Sequence, residues 1–282
     1  MSLFLLYACK NAKTGVSVNS SGNKLKQDSL AALKKNKPSA RPVHWSYSGE
    51  SGPDAWGKLS PVYALCQSGK EQSPININQN DVKQGLLWKI NYKKSSLKIA
   101  HNEHMDDILD NGHTIQVTVD EGSTFQLNHK TYHLKQFHFH TPSEHSIDGK
   151  LFPMEVHFVH QSDSGQFAVI AILIVEGKEN PNFKKILSNL PAKKGETKHL
   201  EKVDLSLQFQ LPDKLEAFHY QGSLTTPPCS EKVEWLVFKH FAYASKKQIE
   251  AFAKKLGHNN RPIQALNKRS INQDVLSGSV QD

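Results

Sequence analysis

Gln136-Phe137-His138-Phe139-His140, followed by Glu155-Val156-His157-Phe158-Val159, are the segments on which the reading of this chain turns. Both alternate as β-strands do, so His138 and His140 leave one face with Gln136, while Phe137 and Phe139 leave the other. In the second segment His157 shares a face with Glu155 and Phe158 lies opposite. If the two strands are neighbours, three neutral imidazoles meet around a cation and leave the fourth tetrahedral position for water. A three-histidine set without cysteine favours zinc or another borderline divalent ion. Affinity alone would also admit copper or cobalt, and zinc is preferred by abundance and geometry. Ligand imidazoles usually give their second N–H to a fixed acceptor, and Gln136 and Glu155, on the ligand-bearing faces, are the candidates. His133 and His160 have the opposite parity, and His101, His104, His129, His219 and His240 stand alone; all are read as surface or core residues.

Outward from these segments the pattern stays strand-like. Thr114 to Val119 alternates, Ala168 to Val175 is a continuous apolar run suited to an interior strand, and Tyr132 to His140 and Met154 to His160 also read as strands. Lys246 to Leu256 reads as a helix, opened by Ser245 with Gln248 three residues later and closed by Gly257. There is no internal repeat. With 282 residues, 37% of them hydrophobic, the chain can bury a sizeable core. The expectation is a mainly β (α+β) domain over residues 43–273 with peripheral helices, and a tail over 274–282.

The formal charge of +8 is unevenly spread: residues 1–42 carry eight Lys/Arg against Asp28 alone, which leaves the remainder at +1. The folded part therefore has no overall basic excess for following a phosphate backbone, and no nucleic-acid partner is expected. Residues 10–42, rich in Lys, Asn and Ser, read as a flexible basic linker. Residues 1–9 hold an apolar run too short to span a bilayer. That run reads either as the remnant of an export signal in a truncated gene or as a lipoprotein cleavage box whose Cys9 would carry a lipid anchor. With Cys9 set aside, Cys66 and Cys229 remain as a disulfide pair or as two buried thiols. A bond closing so long a loop would remove on the order of 5 kcal/mol of unfolded-state freedom in an oxidising compartment.

Taken with Glu144-His145, Asn111-Gly112-His113, His44-Trp45-Ser46-Tyr47, Gln72-Ser73-Pro74-Ile75-Asn76, Gly222-Ser-Leu-Thr-Thr-Pro-Pro228, Val233-Glu234-Trp235 and Asn259-Asn260-Arg261-Pro262, in this order, the histidine segments resemble the alpha carbonic anhydrases of the bacterial, exported type. The resemblance implies a large twisted, mostly antiparallel central sheet with zinc at the foot of a conical cleft. It also implies reversible hydration of carbon dioxide to bicarbonate and a proton by a zinc-bound hydroxide. Carbonic anhydrases are themselves the standard case of zinc bringing the ionisation of water close to neutrality.

The resemblance further assigns roles by position. Thr225 would accept a hydrogen bond from the hydroxide and donate one to Glu144; Thr226 would contact bicarbonate. Val159, Val169, Leu224, Val233 and Trp235 would form an apolar wall for carbon dioxide. His113 would shuttle the proton through waters ordered by Tyr47, Asn111 and Gln116, the last standing where many members have Asn. A Cys66–Cys229 disulfide would steady the loop carrying Thr225. Expected ligands are carbon dioxide, bicarbonate and water, with sulfonamides and small anions as inhibitors. The expected location is periplasmic or extracellular, with a monomer and a dimer both open. A cupin also carries His-x-His-x3-Glu, but its second motif is missing here. The remaining alternative is a non-catalytic binding module on the same fold. Such modules usually lose a ligand histidine, and this chain keeps all three.

Overall fold

The two histidine segments are adjacent antiparallel strands. In this computed structural model, described for residues 43–92, 94–102, 114–127, 129–193, 195–206 and 216–280, β1 (Asn76–Ile77) pairs in parallel with β7 (Ser146–Ile147). The other described strands form one sheet. They are β2 (Lys83–Tyr92), β3 (Lys94–Asn102), β4 (Thr114–Val119), β5 (Thr124–Leu127), β6 (Lys130–His140), β8 (Met154–Ser162), β9 (Phe167–Glu176), β10 (Thr197–Ser206), β11 (Glu216–Ser223), β12 (Glu231–Phe238), β13 (Ala242–Ala244) and β14 (Asn272–Val280). Neighbours run β10-β3-β4-β6-β8-β9-β12-β11-β14-β2-β5, with β5 also pairing the start of β6 and β13 pairing β9. Within this large sheet, among the described residues, only β12–β9, β13–β9 and β14–β2 pair in parallel, so it is mostly antiparallel, as expected.

β9 is apolar throughout because both of its faces are covered. Ala168, Ile170, Ile172 and Ile174 pack with Phe137, Phe139 and Phe158 in one cluster; Val169, Ala171 and Leu173 pack with Trp235 and Phe218 in another. The helices Pro181–Ser188 and Lys246–Leu256 close the first cluster through Phe183 and Phe252, whose ring centroids are 5.6 Å apart. Asn180 caps the former helix by accepting from the N–H groups of Asn182 and Phe183. The latter has the expected bounds, with a Ser245–Gln248 capping box and Gly257 at φ 67°. The opposite face is left to the second cluster and the histidines.

Two expectations meet different outcomes at the ends of the chain. Residues 1–42, including Cys9 and the basic linker, lie outside the described residues. Residues 274–280, expected in a tail, belong to β14, which pairs with β11 and β2. The segment Asn272–Val280 shows no apolar alternation in the sequence, and its pairing with β11 and β2 is what places it in the sheet.

A third cluster gathers Trp45, Trp56 and Tyr63 around the Cys66–Cys229 disulfide, which has a Cα–Cα distance of 5.0 Å. The bond ties the short N-terminal helices to the β11–β12 hairpin. Its reduction is expected to lower stability by about 2–5 kcal/mol. Urea unfolding with and without reductant measures this, and coincident midpoints would sink it.

Candidate metal centre and catalytic cleft

His138 of β6 lies directly opposite His157 of β8, and His140 lies opposite Glu155, so the strand register alone brings the three imidazoles together. One nitrogen of each ring falls within 4.8 Å of the other two. The opposite nitrogen of each ring is committed to an oxygen that can only accept. His138 Nδ1–H donates to Gln136 Oε1 at 2.9 Å, His140 Nδ1–H to the Asn259 carbonyl at 2.7 Å, and His157 Nε2–H to Glu155 Oε1 at 2.8 Å. These acceptors fix the tautomers and leave Nε2, Nε2 and Nδ1, respectively, with lone pairs facing inward.

Burial favours the neutral form of two of these rings. Burial, then the neighbouring His140 and His157, holds His138 well below the usual histidine range, and burial lowers His157 despite Glu155 beside it. His140 Nε2 is buried with no hydrogen-bond partner, as is Glu144 Oε2, which lies 3.6 Å from it and 3.8 Å from His157 Nδ1. A buried acceptor without a donor costs about 1–3 kcal/mol. Three converging neutral imidazoles, one of them orphaned, are the donor set that a tetrahedral divalent cation completes. The residues therefore fit zinc.

Glu155 organises the layer beneath. Its Oε2 accepts from the Glu144 and His145 N–H groups, both at 2.8 Å, and its Oε1 accepts from His145 Nδ1–H at 2.6 Å as well as from His157. Burial raises its pKa, but the adjacent His145 and His157 outweigh that and hold it well below the usual carboxylate range. The chain continues from His145 Nε2 to the Tyr220 hydroxyl at 2.7 Å and on to Ser73 Oγ at 2.9 Å. Any side chain at Gly222 would collide with Ser73 Oγ and with the Tyr220 and Trp235 rings, so glycine is required there.

Glu144 is held from its other side, its Oε1 accepting from the Arg261 N–H at 2.8 Å. The buried Arg261 guanidinium donates to Gln72 Oε1, the Ser73 carbonyl and the Cys66 carbonyl, and lies 5.6 Å over Trp56. Burial pushes its pKa down to about 10. The expected hydrogen bond from Thr225 to Glu144 is not drawn, because Glu144 Oε2 faces the imidazole nitrogens instead.

The cleft above the histidines is lined by Val159, Val169, Leu224 and Trp235 on its apolar side. Tyr47, Gln116, Gln136, Thr225 and Thr226 also line it. Val233, on the same face of β12 as Trp235, is buried in the one apolar cluster that also holds Val159, Val169, Leu224 and Trp235. Asn111 and His113 lie outside the described residues. Thr225 and Thr226 sit in the β11–β12 hairpin, closed by Leu224 N–H to Ser230 O and Cys229 N–H to Thr226 O. The sequence reading did not single out the Asn259 carbonyl, His145, Tyr220 or Arg261 for these contacts. A backbone carbonyl has no residue signature at all, and the other three appeared only inside or beside family-like motifs.

Comparison with known proteins agrees with this geometry. The family model described as eukaryotic-type carbonic anhydrase matches residues 51–275. The carbonic anhydrases of Pectobacterium carotovorum and Neisseria gonorrhoeae are each 44% identical over 81% of this chain, spanning 90% and 87% of their own lengths. Among solved structures, the alpha-carbonic anhydrase of Thermovibrio ammonificans in complex with the inhibitor sulfanilamide is 40% identical. It has a TM-score of 0.76 and covers 82% of this chain and 100% of its own. With a family match across most of the chain and relatives this similar over nearly their full length, the protein belongs to the eukaryotic-type, or alpha, carbonic anhydrase family.

Proposed function

We propose that the protein hydrates carbon dioxide reversibly to bicarbonate and a proton as a zinc enzyme, with His138, His140 and His157 as the metal ligands. The observation that carries this reading is the triad itself: three inward nitrogens within 4.8 Å, each with its outer nitrogen tied to an acceptor. Zinc held there supplies Lewis acidity, which makes hydroxide available at neutral pH.

The chain's own residues do the rest. Val159, Val169, Leu224 and Trp235 offer carbon dioxide, which is small and apolar, a greasy surface beside the triad. Thr225, at the edge of the cleft, would orient the nucleophile by accepting a hydrogen bond from it, and a small side-chain movement would be needed for it to donate in turn to Glu144, which Arg261 N–H holds by its other oxygen. Thr226 contacts the bicarbonate product. Tyr47 and Gln116 order water in the cleft, and His113 with Asn111 beside it carries the proton to solution. The Cys66–Cys229 bond suits an oxidising compartment and supports a periplasmic or extracellular location. Sulfonamides are the expected inhibitors, in line with the sulfanilamide complex of the Thermovibrio relative.

Stopped-flow carbon dioxide hydration, before and after chelation and zinc return, tests the reading. Activity should vanish and come back, and hydration that survives complete metal removal would sink it. Glu155→Gln is expected to weaken zinc binding about 10–100-fold by chelator competition, because His157 loses the acceptor that orients it. Unchanged affinity would remove Glu155 from that role. Thr225→Val should cost ~10²-fold in kcat/KM with zinc content unaltered, and a value near wild type would exclude Thr225 as the orienting group.

A further inference from the structure

His219 takes no part in the cleft. It lies on β11 between Phe218 and Tyr220, which point into the apolar cluster beside the cleft, so its own side chain leaves the reverse face of the sheet. There its two ring nitrogens meet two carboxylates: Nε2 lies 3.0 Å from Glu234 Oε2 on β12, and Nδ1 lies 3.0 Å from Asp274 Oδ2 on β14. The exposures are 14% for His219, 15% for Glu234 and 0% for Asp274, so the cluster is largely shielded from solvent. A ring that donates from both nitrogens is an imidazolium. Around the acids stand the Tyr132 phenol, which interacts with Glu234, and the uncharged amides of Gln166 and Gln221, each 3.4 Å from Glu234 Oε1.

Asp274 lies on the C-terminal strand. Among the described residues β14 pairs with β11 from Asn272 to Val275, against His219 to Glu216, and with β2 from Asn272 to Val280, and the Asp274–His219 contact crosses the β11 register diagonally. On its other side the Asp274 carboxylate rests against the backbone of β2 at Gly85, where any side chain would collide with it. The carboxylates lie on opposite sides of the ring, so no single metal ion could be held by all three residues in this arrangement.

We propose that Asp274, His219 and Glu234 form a charge-operated latch: the imidazolium fastens β14 to β11 and β12, and loss of its proton in alkaline solution releases the strand. Burial opposes the charge, but the hydrogen bonds and charges of Asp274 and Glu234 outweigh it and lift His219 from 6.5 to about 9. A histidine raised in the folded state gives stability that is complete below about pH 6.5 and is lost as pH rises through about 9. The strand so fastened lies beside β11, which carries Tyr220 and leads to Thr225.

Three measurements on the intact chain test this. The His219 imidazole resonance should titrate near pH 9 in the wild type, and lower in Glu234→Gln, which keeps the Asp274 contact. Between pH 8 and 10 the unfolding midpoint of the wild type should fall by about 5 °C more than that of His219→Gln. Limited proteolysis with subtilisin should add a cleavage within Asn272–Val280 at pH 10 that is missing at pH 7.5, whatever is cut in residues 1–42. Titration of the folded wild type near 6.5, parallel midpoint curves, or the same cleavage pattern of residues 43–282 at both pH values would each overturn the latch.

Discussion

One buried carboxylate holds the catalytic architecture together. Glu155 is fully enclosed and accepts four hydrogen bonds, two from histidine rings and two from the backbone N–H groups of residues 144 and 145. A buried anion is tolerable only when its lone pairs are satisfied by well-placed donors, and here that demand does structural service. It sets the tautomer of His157, pins the segment that carries Glu144, and locks His145 against Tyr220. Removing any donor would leave charge without compensation, so the His157 ring, the turn after β6 and the strand β11 are fixed as a set.

The sheet serves two different environments through its alternation. Phe137, Phe139 and Phe158 seal one face beneath two amphipathic helices, while the intervening histidines open onto a cleft on the other. Because the three histidines stand on paired strands rather than loops, their separation is set by ladder spacing and cannot drift without breaking backbone hydrogen bonds. Loops then complete the site. The Asn259 carbonyl orients His140, and Arg261 gathers the Cys66, Gln72 and Ser73 segments while its N–H holds Glu144. The guanidinium meets those three polar acceptors and the Trp56 ring, so a charge is buried through hydrogen bonds and a cation–π contact.

The same logic appears on the reverse face without chemistry attached. His219 is compensated by acids from two neighbouring strands, as Glu155 is by histidines from its own and an adjoining segment. In both cases a polar group placed by strand parity has been made tenable by partners distant in sequence.

Strand parity was legible in the sequence because it is a local property. The alternation of His138 with His140 and of Glu155 with His157 pointed to the three imidazoles that converge and to two of their three outer acceptors, Gln136 and Glu155, and the capping residues Ser245 and Gln248 set the helix start. Resemblance to the family added the topology and the disulfide pair. What the chain could not disclose locally was which distant groups would meet: the Asn259 carbonyl on His140, the Arg261 hub, the pairing of the C-terminal residues as β14, and the acids flanking His219. The contacts of Asn259, Arg261, β14 and His219 join residues apart in sequence, and a carbonyl or a lone histidine looks the same in sequence whatever it will touch. Local alternation determined which side chains share a face, and only the register and packing of the folded sheet decided what each face would find opposite it.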